Sequence, residues 1–372
     1  MKAAIPVRIL TPDLELVAEI DSYAELYYTR SLIQPGTFAL SMPLGMEAAS
    51  ALIAGNYLLA GYSGTRLGTI LEIKKQTLAK GTQWIIARGN EATCLLGRRV
   101  IVPGAGESRF ERTAAAETII KELVETQCGF SAGSSRALKY LRLVSDRGRG
   151  ASYTLACAYT NLLSELCKCA TAAGIGFSVR LDIKEKVMLF DIVEGVDRSA
   201  SQSRNGRALF STGYDSVRCA SIEQGHTQYS NTLYVKGARQ ESVQNVAIVW
   251  KDLEPEGHMR FERAIDAWSL EDLESMRSFG LARLNTYAEL FNLEAELPVN
   301  APLELDRDYF LGDICSVEAY GQWYTVPLEK IDEHWTQKGT EIRLGFGRPA
   351  LGSHSATMRE TEALWEALGA LQ

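Results

Sequence analysis

Four histidines, seven cysteines and 46 acidic residues are the side chains from which this 372-residue chain could build a reactive centre. His226, His258, His334 and His354 are scattered, and none stands in HExxH or HxH spacing, so a histidine-based metal site has little to build on. Cys167 and Cys169 lie two apart in a segment that reads as helix, where such residues face different directions; a buried structural role is expected for both. No P-loop is present. Gly104-Ala105-Gly106 places Arg109 where a dinucleotide fingerprint needs its third glycine, and Gly174-Ile175-Gly176 reads as a helix stop. No GxSxG marks a nucleophile. A glycosidase needs two carboxylates about 5–10 Å apart, and adjacency of Glu271/Asp272 or Asp332/Glu333 singles out no pair among 46 acids. The expectation is no catalytic residue, no cofactor-binding residue and no metal ligand.

Composition narrows the class. Hydrophobic residues at 46% and charged residues at 23% are globular values, and the length suits two or three domains. A net charge of -7, from 39 basic and 46 acidic residues, argues against a scaffold that wraps nucleic acid. No apolar run approaches the roughly 18 residues of a membrane span, so no stable membrane insertion is expected. The start, Met1 to Arg8, meets a charge before a signal-peptide core forms. An odd number of cysteines without zinc-like pairing reads as reduced thiols.

The elements follow from periodicity. Ile5–Leu10, Glu15–Ile20, Glu25–Thr29, Thr37–Met42, Tyr57–Ala60, Arg66–Lys74 and Gln83–Arg88 read as strands separated by turn residues, as in an antiparallel barrel or sandwich. Pro35-Gly36 marks a turn, and Ala48–Ala54 a short helix. Helices are predicted over Glu111–Gln127, over Thr154–Ala173 with Gly174 as its stop, and from Ser269 to about Phe291 with Asp272 as a capping-box partner. Gly176–Leu181 and Lys186–Asp191 read as a hairpin, Arg198–Asn205 as a linker, and Arg142–Arg149 as a solvated basic loop, with a phosphate site as the alternative. Further strands are predicted at Arg207–Phe210, Val217–Glu223, Asn231–Lys236, Glu294–Val299, Ile314–Glu318, Gln322–Ile331 and Glu341–Phe346. Residues 356–370 are predicted to form an amphipathic helix that either folds onto its own chain or docks on a partner.

Residues 55–89 and 312–347 repeat each other weakly. With one extra residue at Lys330, Leu71-Glu72 aligns with Leu328-Glu329, Ile73 with Ile331, Lys80-Gly81-Thr82 with Lys338-Gly339-Thr340, and Gly89 with Gly347. Each copy predicts strand, turn, long strand, turn, strand. Two copies per chain would let a trimer present six nearly equivalent units in a closed ring without exposed sheet edges.

Several of these stretches resemble the shorter siphophage tail hub family, baseplate or tail-tip proteins related to hubs of contractile injection machines. They are Thr11 to Leu16, Arg30 ahead of Pro35-Gly36-Thr37-Phe38-Ala39-Leu40, Leu67 to Ile73 with Arg88-Gly89 and Leu96-Gly97-Arg98-Arg99, Asn231 to Val235, Tyr309 to Ile314, and Gly345-Phe346-Gly347. The resemblance runs to about residue 348. It implies a β-rich α+β chain with two tube-like antiparallel β-barrel or sandwich modules. The first spans 1–100 and is completed by 206–245; an α+β domain is inserted at 101–205. A mixed domain follows at 246–300, then the core of the second module at 301–350 and the terminal helix at 351–372. It further implies a homotrimeric ring in the virion tail, assembled in the host cytoplasm, joined to a tail tube or distal tail protein and to spike or receptor-binding proteins, with DNA only in transit through a non-basic lumen. The alternatives are a tail-associated cell-wall hydrolase and a cell-surface or carbohydrate-binding β module.

Overall fold

The computed structural model describes residues 5–77, 81–226, 228–240, 243–268 and 270–348. The predicted helix at 356–370, Ser269 and Lys80 lie outside them. The chain forms two compact units: residues 1–94, 178–222 and 292–372 make the first, and 95–177 with 223–291 the second.

The first unit is β-rich. Its opening strands are β1 (Val7–Leu10), β2 (Leu16–Ile20), β3 (Glu25–Ser31), β4 (Thr37–Pro43), β5 (Tyr57–Ala60), β6 (Arg66–Thr77) and β7 (Gln83–Glu91), each where β-branched and aromatic residues between turn residues predict one. Only the short helix differs, being a single 3-10 turn at Glu47–Ala51. The strands are hydrogen-bonded in the order β3-β4-β7-β6-β5-β1-β2. Leu26, Tyr28, Phe38, Leu40, Met42, Leu58, Ile70 and Ile85 fill the core between them, joined by Trp335 from far along the chain. Phe38 explains two glycines: a Cβ at Gly68 would stand 2.4 Å from its ring, and one at Gly89 2.6 Å.

The late strands Ile314–Ala319, Gln322–Thr336 and Gly339–Arg348 pair antiparallel in succession, as β5, β6 and β7 do. The repeat is therefore real at the level of pairing, and the structure refines its alignment. Gly55 (φ +100°) and Gly312 (φ +95°) both take the left-handed region open to glycine. Gly55 N–H donates to Ile70 and Gly312 N–H to Leu328, while Ile70 N–H and Leu328 N–H return bonds to Asn56 and Asp313, all at 2.8 Å. A one-residue bulge then follows in each long strand, at Leu71 and at Glu329. Ile70 thus corresponds to Leu328, so the extra residue of the second copy belongs to its first turn, between Val317 and Tyr324, and not at Lys330. Hairpin tips absorb insertions, whereas a slip inside a paired strand would turn every side chain to the wrong face.

Strands Leu290–Glu296 and Cys219–Gly225 extend the second copy beyond Gly339–Arg348, in the order 219–225, 290–296, 339–348, 322–336. This repeats β3-β4-β7-β6. Arg218 N–H donates to Glu296 as Ala24 N–H donates to Ser41, and the outer strands match in length at seven residues each. Leu209–Phe210 likewise pairs with Ile314–Ala319. Residues 207–223, expected to finish the first module, thus hydrogen-bond into the second; alternation identifies a strand but not its neighbour. The two sets are continuous through β3, which pairs antiparallel with Gln322–Thr336 from Lys330↔Ser31 to Thr336↔Glu25.

The second unit packs α1 (Ala116–Cys128), α2 (Leu162–Ala173) and α3 (Leu273–Leu284) with short sheets. Each predicted helix is shorter than its sequence suggests. Phe110–Ala115 and Ser152–Cys157 are antiparallel strands, with Tyr153, Leu155 and Cys157 buried at period two. Asn161 caps α2, Gly174 ends it at φ +67°, and Asp272 is the N-cap of α3 through Ser275 N–H. Beyond α3, Leu290 and Phe291 begin a strand, because bonding to a neighbouring strand outweighs the helical spacing. The sheet of Thr232–Gln240, Val243–Trp250 and Glu262–Asp266 buries Leu233, Val235, Ala247 and Val249 against Met276 and Phe279.

Candidate functional site

Four charged side chains, Arg30 of the resemblance among them, meet where the two strand sets join. Arg30 near the end of β3 and Arg66 at the start of β6 come from the first set, and Glu333 from the second, with Asp306 on the loop ahead of it. Arg66 donates Nε to Oε2 and Nη2 to Oε1 of Glu333, each at 2.7 Å, and reaches Asp306 at 3.0 Å. Arg30 donates to Asp306 at 2.9 Å and lies 3.2 Å from Glu333. The side chain of Glu333 is 3% exposed and that of Arg30 7%. Burial pushes the Asp306 carboxyl up, but the two guanidiniums overcome this and hold it below the usual range. Burial works against the Arg30 charge, and Glu333 and Asp306 more than restore it. Two cations and two carboxylates close a compensated network, the form in which buried charge is tolerated. It can clamp two modules; it leaves no free acid or base.

Glu91, at the end of β7, accepts from Gly36 N–H at 2.8 Å and from Ser31 N–H at 3.3 Å. Burial pushes its carboxyl up to about 7 against those bonds and the Arg30 charge. Gly36 is obligatory here, since a Cβ would fall 1.9 Å from Thr29 O. In the second set Asp313 accepts from Val196 N–H at 2.9 Å, Arg198 Nε at 2.6 Å and Phe310 N–H at 2.9 Å. The polar stretch from Arg198 is thereby strapped to the module, with Ser199 fully buried.

The other chemistry-bearing residues have structural partners. Asp272 caps α3, and Asp332 accepts from Thr29 at 2.5 Å. Cys167 and Cys169 are buried, which pushes both thiols up to about 12. His334 meets Glu25 at 2.9 Å and His226 meets Glu289 at 3.2 Å. In the basic loop, Arg149 donates through Nε and Nη2 to Glu117 at 2.8 Å, and Lys121 adds a bond of 2.6 Å. Burial raises the Glu117 carboxyl, yet these donors bring it far below the usual range. Arg149 is thus committed to an internal carboxylate. Among the described residues no three His, Cys, Asp or Glu side chains are placed to hold a metal ion, and no helix is long and apolar enough to cross a membrane. Sequence reading named Arg30, and Glu333 only as half of an adjacent acidic pair, but missed the roles of Arg66, Asp306 and Glu91; the partners in this network lie up to 276 residues apart.

The model of the Siphovirus ReqiPepy6 Gp37-like protein family matches residues 6–348. No curated protein matches the chain in sequence. Among solved structures, a 43 kDa tail protein of prophage MuSo2 from Shewanella oneidensis is 14% identical, with 93% of this chain and 98% of that one covered at a TM-score of 0.58. A tail protein from Neisseria meningitidis MC58 is 11% identical, covering 93% and 97% at 0.52. Prophage tail protein gp18 from Listeria monocytogenes is 11% identical, covering 96% and 99% at 0.51. The chain belongs to the Siphovirus ReqiPepy6 Gp37-like family and has the β-rich fold of prophage tail proteins.

Proposed function

We propose that this protein is a structural hub of a phage tail, a homotrimer whose six β modules form a ring joining the tail tube to the tip and letting DNA pass. The observation that carries this reading is the internal duplication, with one four-strand set built twice in one chain and the two sets already joined edge to edge. Three such chains supply six nearly equivalent sets, and closure removes the open edges on which sheets aggregate. Relatives of tail type fit the same reading. The charged network at the joint has the character of a clamp, and the role is assembly without catalysis. Partners are then a tube or distal tail protein on one side and spike or receptor-binding proteins on the other.

Light scattering after size exclusion, with negative-stain images of the peak, tests this. The expected species is a ring of about 123 kDa, three times the 41.0 kDa chain, formed alone or on adding the tail tube. A compact monomer that makes no ring even with the tube overturns it.

A further inference from the structure

The strand β6 has one neighbour along most of its length and a second only at its start. It pairs with β7 from Gly68 to Thr77, but β5 covers it only from Arg66 to Thr69. Among the described residues no strand occupies its other edge from Glu72 to Thr77. In the second set the corresponding edge, Lys330–Thr336, is filled by β3. The counterpart of β3 is Cys219–Gly225, which ends the sheet, with no strand on its outer edge among the described residues. Each chain therefore holds one finished junction and both halves of an unfinished one.

We propose that the unfinished junction forms between chains: Glu72–Thr77 of one chain pairs antiparallel with Cys219–Gly225 of the partner subunit. This rests on the hub reading and specifies its interface. The register follows from the finished junction. Ala24 corresponds to Arg218 by its bond to the next strand, so Glu25–Ser31 maps onto Cys219–Gly225 residue by residue. Ile70 corresponds to Leu328, so Glu72 maps onto Lys330. Lys330↔Ser31 and Asp332↔Thr29 then become Glu72 opposite the partner's Gly225 and Lys74 opposite the partner's Glu223. Within the chain, Thr29 donates to Asp332 at 2.5 Å; at the equivalent position between chains stand opposite charges. Lys74 and Glu223 are both exposed, and neither has an ion-pair partner among the described residues. The bulge agrees too. Glu329 O accepts from Leu32 N–H at 2.9 Å, and its counterpart Leu71 is 47% exposed, facing the place of the partner's His226 N–H. Such a head-to-tail contact uses two different surfaces, so it propagates until the ring closes.

Disulfide trapping in the full-length chain tests the register. Lys74→Cys with Glu223→Cys, in a Cys219→Ser background and under mild oxidation, is expected to give reducible species at two and three times 41.0 kDa; either cysteine alone gives none. Lys74→Glu and Glu223→Lys singly are expected to raise the concentration at half-assembly about five- to tenfold, and the double reversal to restore it. A wild-type trimer without the cross-link overturns the strand pairing and leaves the hub reading standing. A wild-type monomer, with tube present and no cross-link, overturns both. Cross-linked species running past three chains uphold the pairing and overturn the closed trimer.

Discussion

Arg66 grips Glu333 with two parallel hydrogen bonds of 2.7 Å across 267 residues of chain, fixing the first strand set to the second at the point where their sheet runs through. A planar guanidinium matches a carboxylate in this geometry, which a lysine cannot reproduce. Asp306 bridges the same guanidinium to Arg30, so the four groups act as a unit.

Removing one member leaves the others buried and uncompensated. Glu333→Ala is expected to lower stability by about 3–5 kcal/mol, read as the fall in guanidinium midpoint. Arg66→Lys keeps the charge and loses the fork, so it should fall between wild type and Glu333→Ala. Equal stability of all three would remove the clamp from the account.

Glu91 supplies a pH dependence of defined sign. Its folded pKa of about 7 lies above the ordinary 4.5, so the folded chain holds this proton more tightly. The contribution to stability is complete below about 4.5 and is lost as pH rises through 7. Glu91→Gln should therefore flatten the decline in urea midpoint between pH 5 and 7.5. A steeper decline in the variant would reverse the assignment.

Glu117 behaves oppositely. Its pKa is lowered by Arg149 and Lys121 against burial, so its contribution is present above the unfolded value and disappears on acidification. Arg149→Ala is expected to destabilise the second unit at pH 7 and to open residues 145–149 to proteolysis, with a smaller difference from wild type in acid.

Two glycines separate steric from conformational need. Gly36→Ala sets a Cβ 1.9 Å from Thr29 O and should abolish soluble expression. Gly55→Ala meets no atom within 4 Å but holds φ +100°, so it should fold with a loss of about 1–3 kcal/mol. Thermal melts of the purified variants distinguish the two cases.

Local chemistry made much of this chain legible in advance. Runs of β-branched and aromatic residues between turn residues located the strands of the first set, Gly174 marked a helix end, and the weak repeat announced a duplicated hairpin. These signals come from backbone preference and from one buried face, both written within a few residues. Where they competed, the sequence misled: Tyr153 to Cys157 and Leu290-Phe291 fit a helical stripe as well as a strand. Tertiary structure alone decided which strands are neighbours. It drew the second set from residues 219–225, 290–296 and 322–348, and moved the extra residue of the repeat from Lys330 to a hairpin tip. It also brought Arg66 to Glu333 and Arg30 to Asp306. A strand's pattern states which face is buried but not whose edge it meets, because pairing bonds come from the backbone and are the same for every residue. Which edges meet is settled only when distant segments fold together and buried charges find their partners.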